Sequence, residues 1–185
     1  HCLEKVYAHA SYVTVNISSP NTKGLRSLQT GDALGELLGR LKETQIRLAQ
    51  EQGHYVPLAV KIAPDLDEDD IADIASQLID YRIDAVIATN TTITRPGIEN
   101  LRLAEEAGGL SGKPLKARST FTLSRLAQAL DGRIPVIGVG GIMDGASAAD
   151  KIAAGASLVQ VYTGFIYRGP GLIADAARAI AGIQQ

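Results

Sequence analysis

Five short apolar runs, spaced by amphipathic segments, constrain the fold of this 185-residue chain more than any other feature. They are "YVTVNIS" (Tyr12–Ser18), "PLAVKIAP" (Pro57–Pro64), "AVIATN" (Ala85–Asn90), "IPVIGVGG" (Ile134–Gly141) and "SLVQVYT" (Ser157–Thr163). Each is nearly continuous in Val, Ile, Leu and Ala, the pattern of parallel strands covered on both faces. Between them, apolar residues recur at helical spacing. Leu34, Leu37, Leu38 and Leu41 form one stripe; Ile71, Ile74, Ala75 and Leu78 form another, behind an N-cap at Asp67. Further helices are expected near Leu115–Leu130, over Gly145–Ala154 with Asp144 before it and Gly155 as C-cap, and over roughly Leu172–Ile183.

Such alternation makes a parallel α/β sheet, either open and doubly wound or closed into a barrel. Polar residues sit at the C-terminal end of every strand and not at one switch point, which favours a TIM-type (βα)8 barrel. The last two runs end in "GVGG" and "YTG", and barrels recurrently build a phosphate site after strands seven and eight. On that count the visible strands are four to eight. A complete barrel needs about 250 residues. The expectation is therefore a partial barrel: residues 1–185 form the C-terminal part of one domain, and about three βα units are missing on the N-terminal side. The first visible strand then has a bare edge, which is prone to associate.

Net charge is −2, with no long run of one sign, which argues against nucleic acid as a partner, since a binder would normally show a basic face. No uninterrupted apolar stretch is long enough for a transmembrane helix, and "HCLEKVYAHA" lacks the apolar core of a signal peptide. Cys2 is the sole cysteine, so a disulfide framework is excluded and a reducing interior expected. His1, His9 and His54 show no metal-ligand spacing, so no metal site is expected.

The strand tips carry the chemistry. Asn16, Ser18, Ser19, Asn21 and Thr22 crowd the first; Asx and Ser/Thr turns before Pro20 explain single residues, but two amides together suit a small ring with amide-like groups or a carboxylate. Lys61 stands inside a buried strand, a costly place unless its ammonium meets an anion or a ring acceptor; the plain alternative is a lysine snorkelling from a strand end. Thr89, Asn90, Thr91 and Thr92 repeat the polar tip. Gly138, Gly140 and Gly141 precede a helix, where bare N–H groups suit a phosphate. From Thr91 to Pro114 the chain runs too long for a plain turn and reads as a lid or binding loop, with Gly108, Gly109 and Gly112 permitting close approach to a ligand. The only carboxylate near a tip is Asp65, so two-carboxylate hydrolysis is not expected. A planar cofactor with a phosphate tail, a cation near its ring and an amide-lined substrate cavity remain, and flavin mononucleotide (FMN) fits.

"NISSPNTKGLRSLQ", "VKIAPDL", "VIATNTT", "GGLSGKPL", "IPVIGVGGI" and "KIAAGASLVQVYTGFIYRGPGLI" resemble, in order and at matching spacing, the class 2 (quinone-dependent) dihydroorotate dehydrogenases. The resemblance implies an FMN-binding (βα)8 barrel that oxidises dihydroorotate to orotate in pyrimidine synthesis and passes the electrons to a quinone. By position it implies Ser19 as catalytic base, where class 1 enzymes have cysteine. It implies Asn16, Asn21, Asn90 and Thr91 on the substrate, with Asn16 also touching the flavin. Lys61, Thr89, Gly112, Gly141, Tyr162 and Thr163 match FMN positions, the last three near the phosphate. The family's first barrel strands and its N-terminal membrane-binding helices have no counterpart here. A full-length parent is thus expected to be a monomer associated peripherally with the cytoplasmic face of a bacterial cell membrane, and these residues alone to bind FMN weakly and turn over little. The alternatives are another FMN barrel, of the class 1 dihydroorotate or dihydropyrimidine type, and an inactive half-barrel that associates through its open edge.

Overall fold

The five runs form one parallel sheet in sequential order: β1 (Val13–Asn16), β2 (Leu58–Ile62), β3 (Ala85–Ala88), β4 (Val136–Val139) and β5 (Leu158–Gln160). The structure is a computed structural model and describes residues 1–183. Each strand is shorter than its apolar run, because the polar and glycine-rich ends leave the ladder as loops. The helices are α1 (Cys2–Val6), α2 (Gly31–Gln52), α3 (Glu68–Asp80), α4 (Lys116–Leu130), α5 (Gly145–Ala153), α6 (Thr163–Arg168) and α7 (Gly171–Ala181). Of these, α1 and α6 were not expected. Both are single short turns of helix without an apolar stripe long enough to register.

Side-chain alternation along the strands sorts residues between two faces. Val15, Val60, Ile62, Val86, Ala88 and Val136 belong to one apolar core with Leu34 and Leu38 of α2, Ile71, Ile74 and Leu78 of α3, and Leu123, Leu126 and Leu130 of α4. Fully burying each such side chain stabilises the fold by about 1.5–3 kcal/mol. The intervening residues share the opposite face. The parallel register aligns Asn16 with Lys61, Lys61 with Ile87, Ile87 with Ile137, and Ile137 with Leu158. Period-two geometry therefore sets the polar pair Asn16 and Lys61 against the helix-free face.

Local signals fix the helix starts. Asp67 accepts the Asp70 N–H at 2.8 Å, as an N-cap should. Asp144 and Ser147 form a reciprocal capping box at α5. At the other end of α5 the C-cap is Ala154, not Gly155; Gly155 follows it with φ +107°, the left-handed position where glycine is favoured. A 3-10 turn (Lys113–Leu115) leads into α4, and the last helix ends at Ala181. The long loop is anchored by an antiparallel bridge between Thr92 and Leu110. The Arg95 guanidinium fills it, donating to the carbonyls of Ile93, Ala104, Glu106 and Gly108 at 2.9–3.0 Å.

Candidate functional site

At the C-terminal rim, β3 is held between its neighbours by the backbone. Thr89 N–H donates to Val139 O at 3.0 Å and Asn90 N–H donates to Ile62 O at 2.8 Å. This brings the tips of β2, β3, β4 and β5 around a cavity of about 420 Å3, a size typical of small-molecule sites. Lys61, Thr89, Asn90, Thr91, Gly112, Gly141, Tyr162 and Thr163 all line it. Ser111, Gly140 and Gln160 line it too. Ser111 and Gln160 escaped the sequence reading, although "GGLSGKP" and the end of β5 were where to look.

Lys61 is half-buried, and burial lowers its pKa from the ordinary lysine value. Among the described residues it has no carboxylate partner. A cation so placed favours an anion or an electron-rich ring edge. The Asn90 amide, also in the lining, is held by the β1 tip. Its Nδ2 donates to Ser18 Oγ at 3.0 Å and to Asn16 Oδ1 at 3.3 Å, while Ser18 Oγ donates to Asn16 Oδ1 at 2.9 Å. Its Oδ1 accepts the Thr91 N–H at 2.7 Å. Asn16, exposed at the end of β1, is not among the residues that line the cavity; it is tied to Asn90, which is, both directly and through the buried Ser18.

Ser19 and Asn21 lie outside the cavity lining, on the loop after β1. Ser19 is half-buried and its Oγ accepts the Asn21 N–H at 3.3 Å; Asn21 is exposed. The long loop folds back onto them. A side chain at Gly109 would collide with Thr91 and reach 3.2 Å from Pro20, and one at Gly108 would reach 3.5 Å from Asn21 Oδ1. The lid expected from sequence accordingly packs against the β1 loop beside the cavity.

These tips are clamped from beneath. Arg26 donates through Nε to Ser18 O at 3.0 Å, through one terminal nitrogen to Asp65 Oδ2 at 2.8 Å, and through the other to Thr91 O at 2.9 Å. Asp65 also accepts from Thr92 Oγ1 and from the Ile93 N–H. One ion pair therefore ties the loops after β1, β2 and β3.

A parallel sheet with helices on one face and a cation-bearing cavity at its carboxyl rim defines a barrel-type α/β protein with its candidate site at the strand ends. The chain belongs to the dihydroorotate dehydrogenase family, whose family model matches residues 1–183. It is 61% identical over 184 residues to a protein of Cellvibrio japonicus named dihydroorotate dehydrogenase (quinone), and 60% identical to its namesake in Ectopseudomonas mendocina. In each case the match covers all of this chain and 54% of the relative. The crystal structure of DHODH in complex with ferulenol from Eimeria tenella superposes with a TM-score of 0.90 at 37% identity, over 98% of this chain and 52% of that one. The chain thus spans about half the length of the relatives it matches, as five βα units of a TIM-type barrel.

Proposed function

We propose that these residues form the C-terminal five βα units of a quinone-dependent dihydroorotate dehydrogenase, with FMN in the rim cavity and dihydroorotate between it and the loop after β1. The observation that carries the reading is that Lys61, Asn90, Gly141 and Thr163, which come from four different βα units, open into a single cavity. The donor set fits FMN: a half-buried cation for the ring, hydroxyls at Thr89 and Ser111, and small, backbone-exposing residues at Gly112, Gly140 and Gly141 for the phosphate end. The serine at position 19 favours the quinone-dependent class over the cysteine-bearing one.

When bound, FMN would accept the hydride from C6 of dihydroorotate and pass electrons to the quinone. Ser19 removes the C5 proton. Asn16 and Asn90, held to each other, orient the substrate ring, and Asn21 and Thr91 complete the clamp under the Gly108–Gly109 loop. Lys61 stabilises negative charge at the ring edge. Gly112, Gly141, Tyr162 and Thr163 secure the phosphate end; the Thr163 hydroxyl is fixed by Ser111 Oγ at 2.9 Å. Serine is a weak base unaided, so its proton leaves through a hydroxyl or water relay that includes the exposed Thr22. No described helix is long and apolar enough to cross a membrane; we place any membrane attachment of the full-length protein, and its quinone access, outside these residues. The full-length protein is read as a monomer.

The test is anaerobic mixing of the full-length protein with dihydroorotate, followed by flavin bleaching and quinone reduction. Replacing the base, Ser19→Ala, is expected to slow bleaching by about 10²–10⁴-fold, and near-full bleaching by that variant would remove Ser19 from its role. Reduction of fumarate or NAD in preference to quinones would favour the class 1 type.

A further inference from the structure

Lys151, on α5, has no exposed surface. Among the described residues it makes no ion pair; the neighbouring carboxylate, Asp150, is taken by Lys116 at 2.6 Å. Its Nζ donates instead to Ser119 Oγ at 2.6 Å and Thr120 Oγ1 at 2.8 Å, both on α4. Ser119 Oγ lies 3.0 Å from Gly140 O and 3.1 Å from Lys116 O. The β4 tip is shaped around this chain of contacts. A Cβ at Gly138 would stand 3.1 Å from Lys151 Cβ, and one at Gly140 would stand 3.0 Å from Ser119 Oγ. A desolvated ammonium facing only hydroxyls is costly, and an anion bound nearby offsets that cost.

The direction of one peptide bond links this lysine to the cavity. The Gly140 carbonyl is drawn towards Ser119, and in a planar trans peptide the next N–H points the opposite way. The Gly141 N–H is therefore turned away from Ser119, in a segment whose two glycines line the cavity.

We propose that Lys151 is a positioning residue for the phosphate of the flavin nucleotide: through Ser119 it fixes the Gly140–Gly141 peptide, and it sets a buried positive charge behind it. The inference rests on the flavin reading above, not on the identity of the oxidised substrate. Burial, with a smaller contribution from Lys116, brings the Lys151 pKa down to about 8. Asp150 opposes this; β4 and β5 carry no titratable group, Asp175 of α7 binds the Gly145 N–H at the far end of α5, and Arg178 is exposed.

The test compares FMN with riboflavin, which lacks the phosphate, by titrating the flavin-stripped full-length protein. For Lys151→Met, which fills the same volume without charge, FMN affinity is expected to fall about 10- to 100-fold while riboflavin affinity is unchanged. Ser119→Ala is expected to give a smaller loss in the same direction. A flavin-free melting midpoint at or above that of the unsubstituted protein shows that Lys151→Met is folded. The proposal is overturned if both flavins weaken together, or if FMN affinity stays constant. Equal affinity of the unsubstituted protein for FMN and riboflavin would remove the phosphate site and the lysine's role with it. Failure of dihydroorotate to bleach the flavin would sink the substrate reading alone.

Discussion

Arg26 shows how one side chain sets the geometry of several loops at once. Its guanidinium reaches two backbone carbonyls and a carboxylate in three directions, and both it and Asp65 are largely shielded from solvent. A lysine has the charge but not the planar fork, so it cannot hold Ser18 O, Asp65 and Thr91 O together. Ser18 and Thr91 flank the Asn16–Asn90 pair, and on the proposed reading loosening them displaces the amides assigned to the substrate before it disturbs the end assigned to the phosphate. In full-length protein, Arg26→Lys is therefore expected to lower kcat/KM for dihydroorotate by about 10- to 100-fold with the flavin content unchanged. Steady-state kinetics beside the flavin-to-protein absorbance ratio measures both; loss of flavin in parallel with activity would show that the clamp serves the whole rim.

Helix caps and strand starts make the next scale testable. Asp67→Ala removes the oxygen that accepts the Asp70 N–H and is expected to cost about 1 kcal/mol. Asp144→Ala removes an oxygen that accepts from both the N–H and the hydroxyl of Ser147, so its urea midpoint should fall further than that of Asp67→Ala. Asp84 stitches α2, β2 and β3: it accepts from Leu58 N–H at 2.8 Å, from Gln45 Nε2 at 3.0 Å and from the Tyr55 hydroxyl at 2.6 Å. Burial pushes its pKa up, but these donors outweigh burial and hold it below the ordinary value of 3.8. Its folded pKa is depressed, so its stabilisation is complete above the unfolded value and disappears as pH falls through the folded one. Asp84→Asn should lose about 1 kcal/mol at pH 7, discounted for partial exposure, and should show a flatter acid limb in denaturant midpoints between pH 5 and pH 3. These elements were legible because they use local rules: buried strands read as apolar runs, and caps read as Asp before a stripe. Lys61 was legible for the opposite reason, a charge where the pattern forbids one. Lys151 and Arg26 were not, since a lysine on an amphipathic helix and an arginine in a polar loop read as solvated, and only tertiary packing buries them. Ser18 was read as one of several loop serines; its place between Asn16 and Asn90 depends on β1 and β3 being brought together across β2.

At the scale of the molecule, the helix-free face of the sheet decides how these residues behave on their own. Among the described residues β1 and β5 each have one ladder neighbour, so two parallel edges are open. Between them lies an apolar depression of about 280 Å3 lined by Tyr12, Ala59, Ile137 and Leu158, the last 62% exposed. Beside the β5 tip, Tyr162, Ile166 and Tyr167 are also largely exposed. In a barrel such a face is interior, and exposed edges with an apolar floor favour pairing with another chain. Burying one such leucine is worth about 1.5–3 kcal/mol, enough to drive association at micromolar concentrations when several act together. Expressed alone, the 185-residue chain is expected to sediment as concentration-dependent oligomers and to bind FMN more weakly than the full-length protein. Leu158→Lys, on an edge strand and already exposed, should shift that equilibrium towards monomer without lowering the melting midpoint. A chain that stays monomeric at high micromolar concentration and binds FMN as tightly as full-length protein would mean that five βα units suffice to close the site.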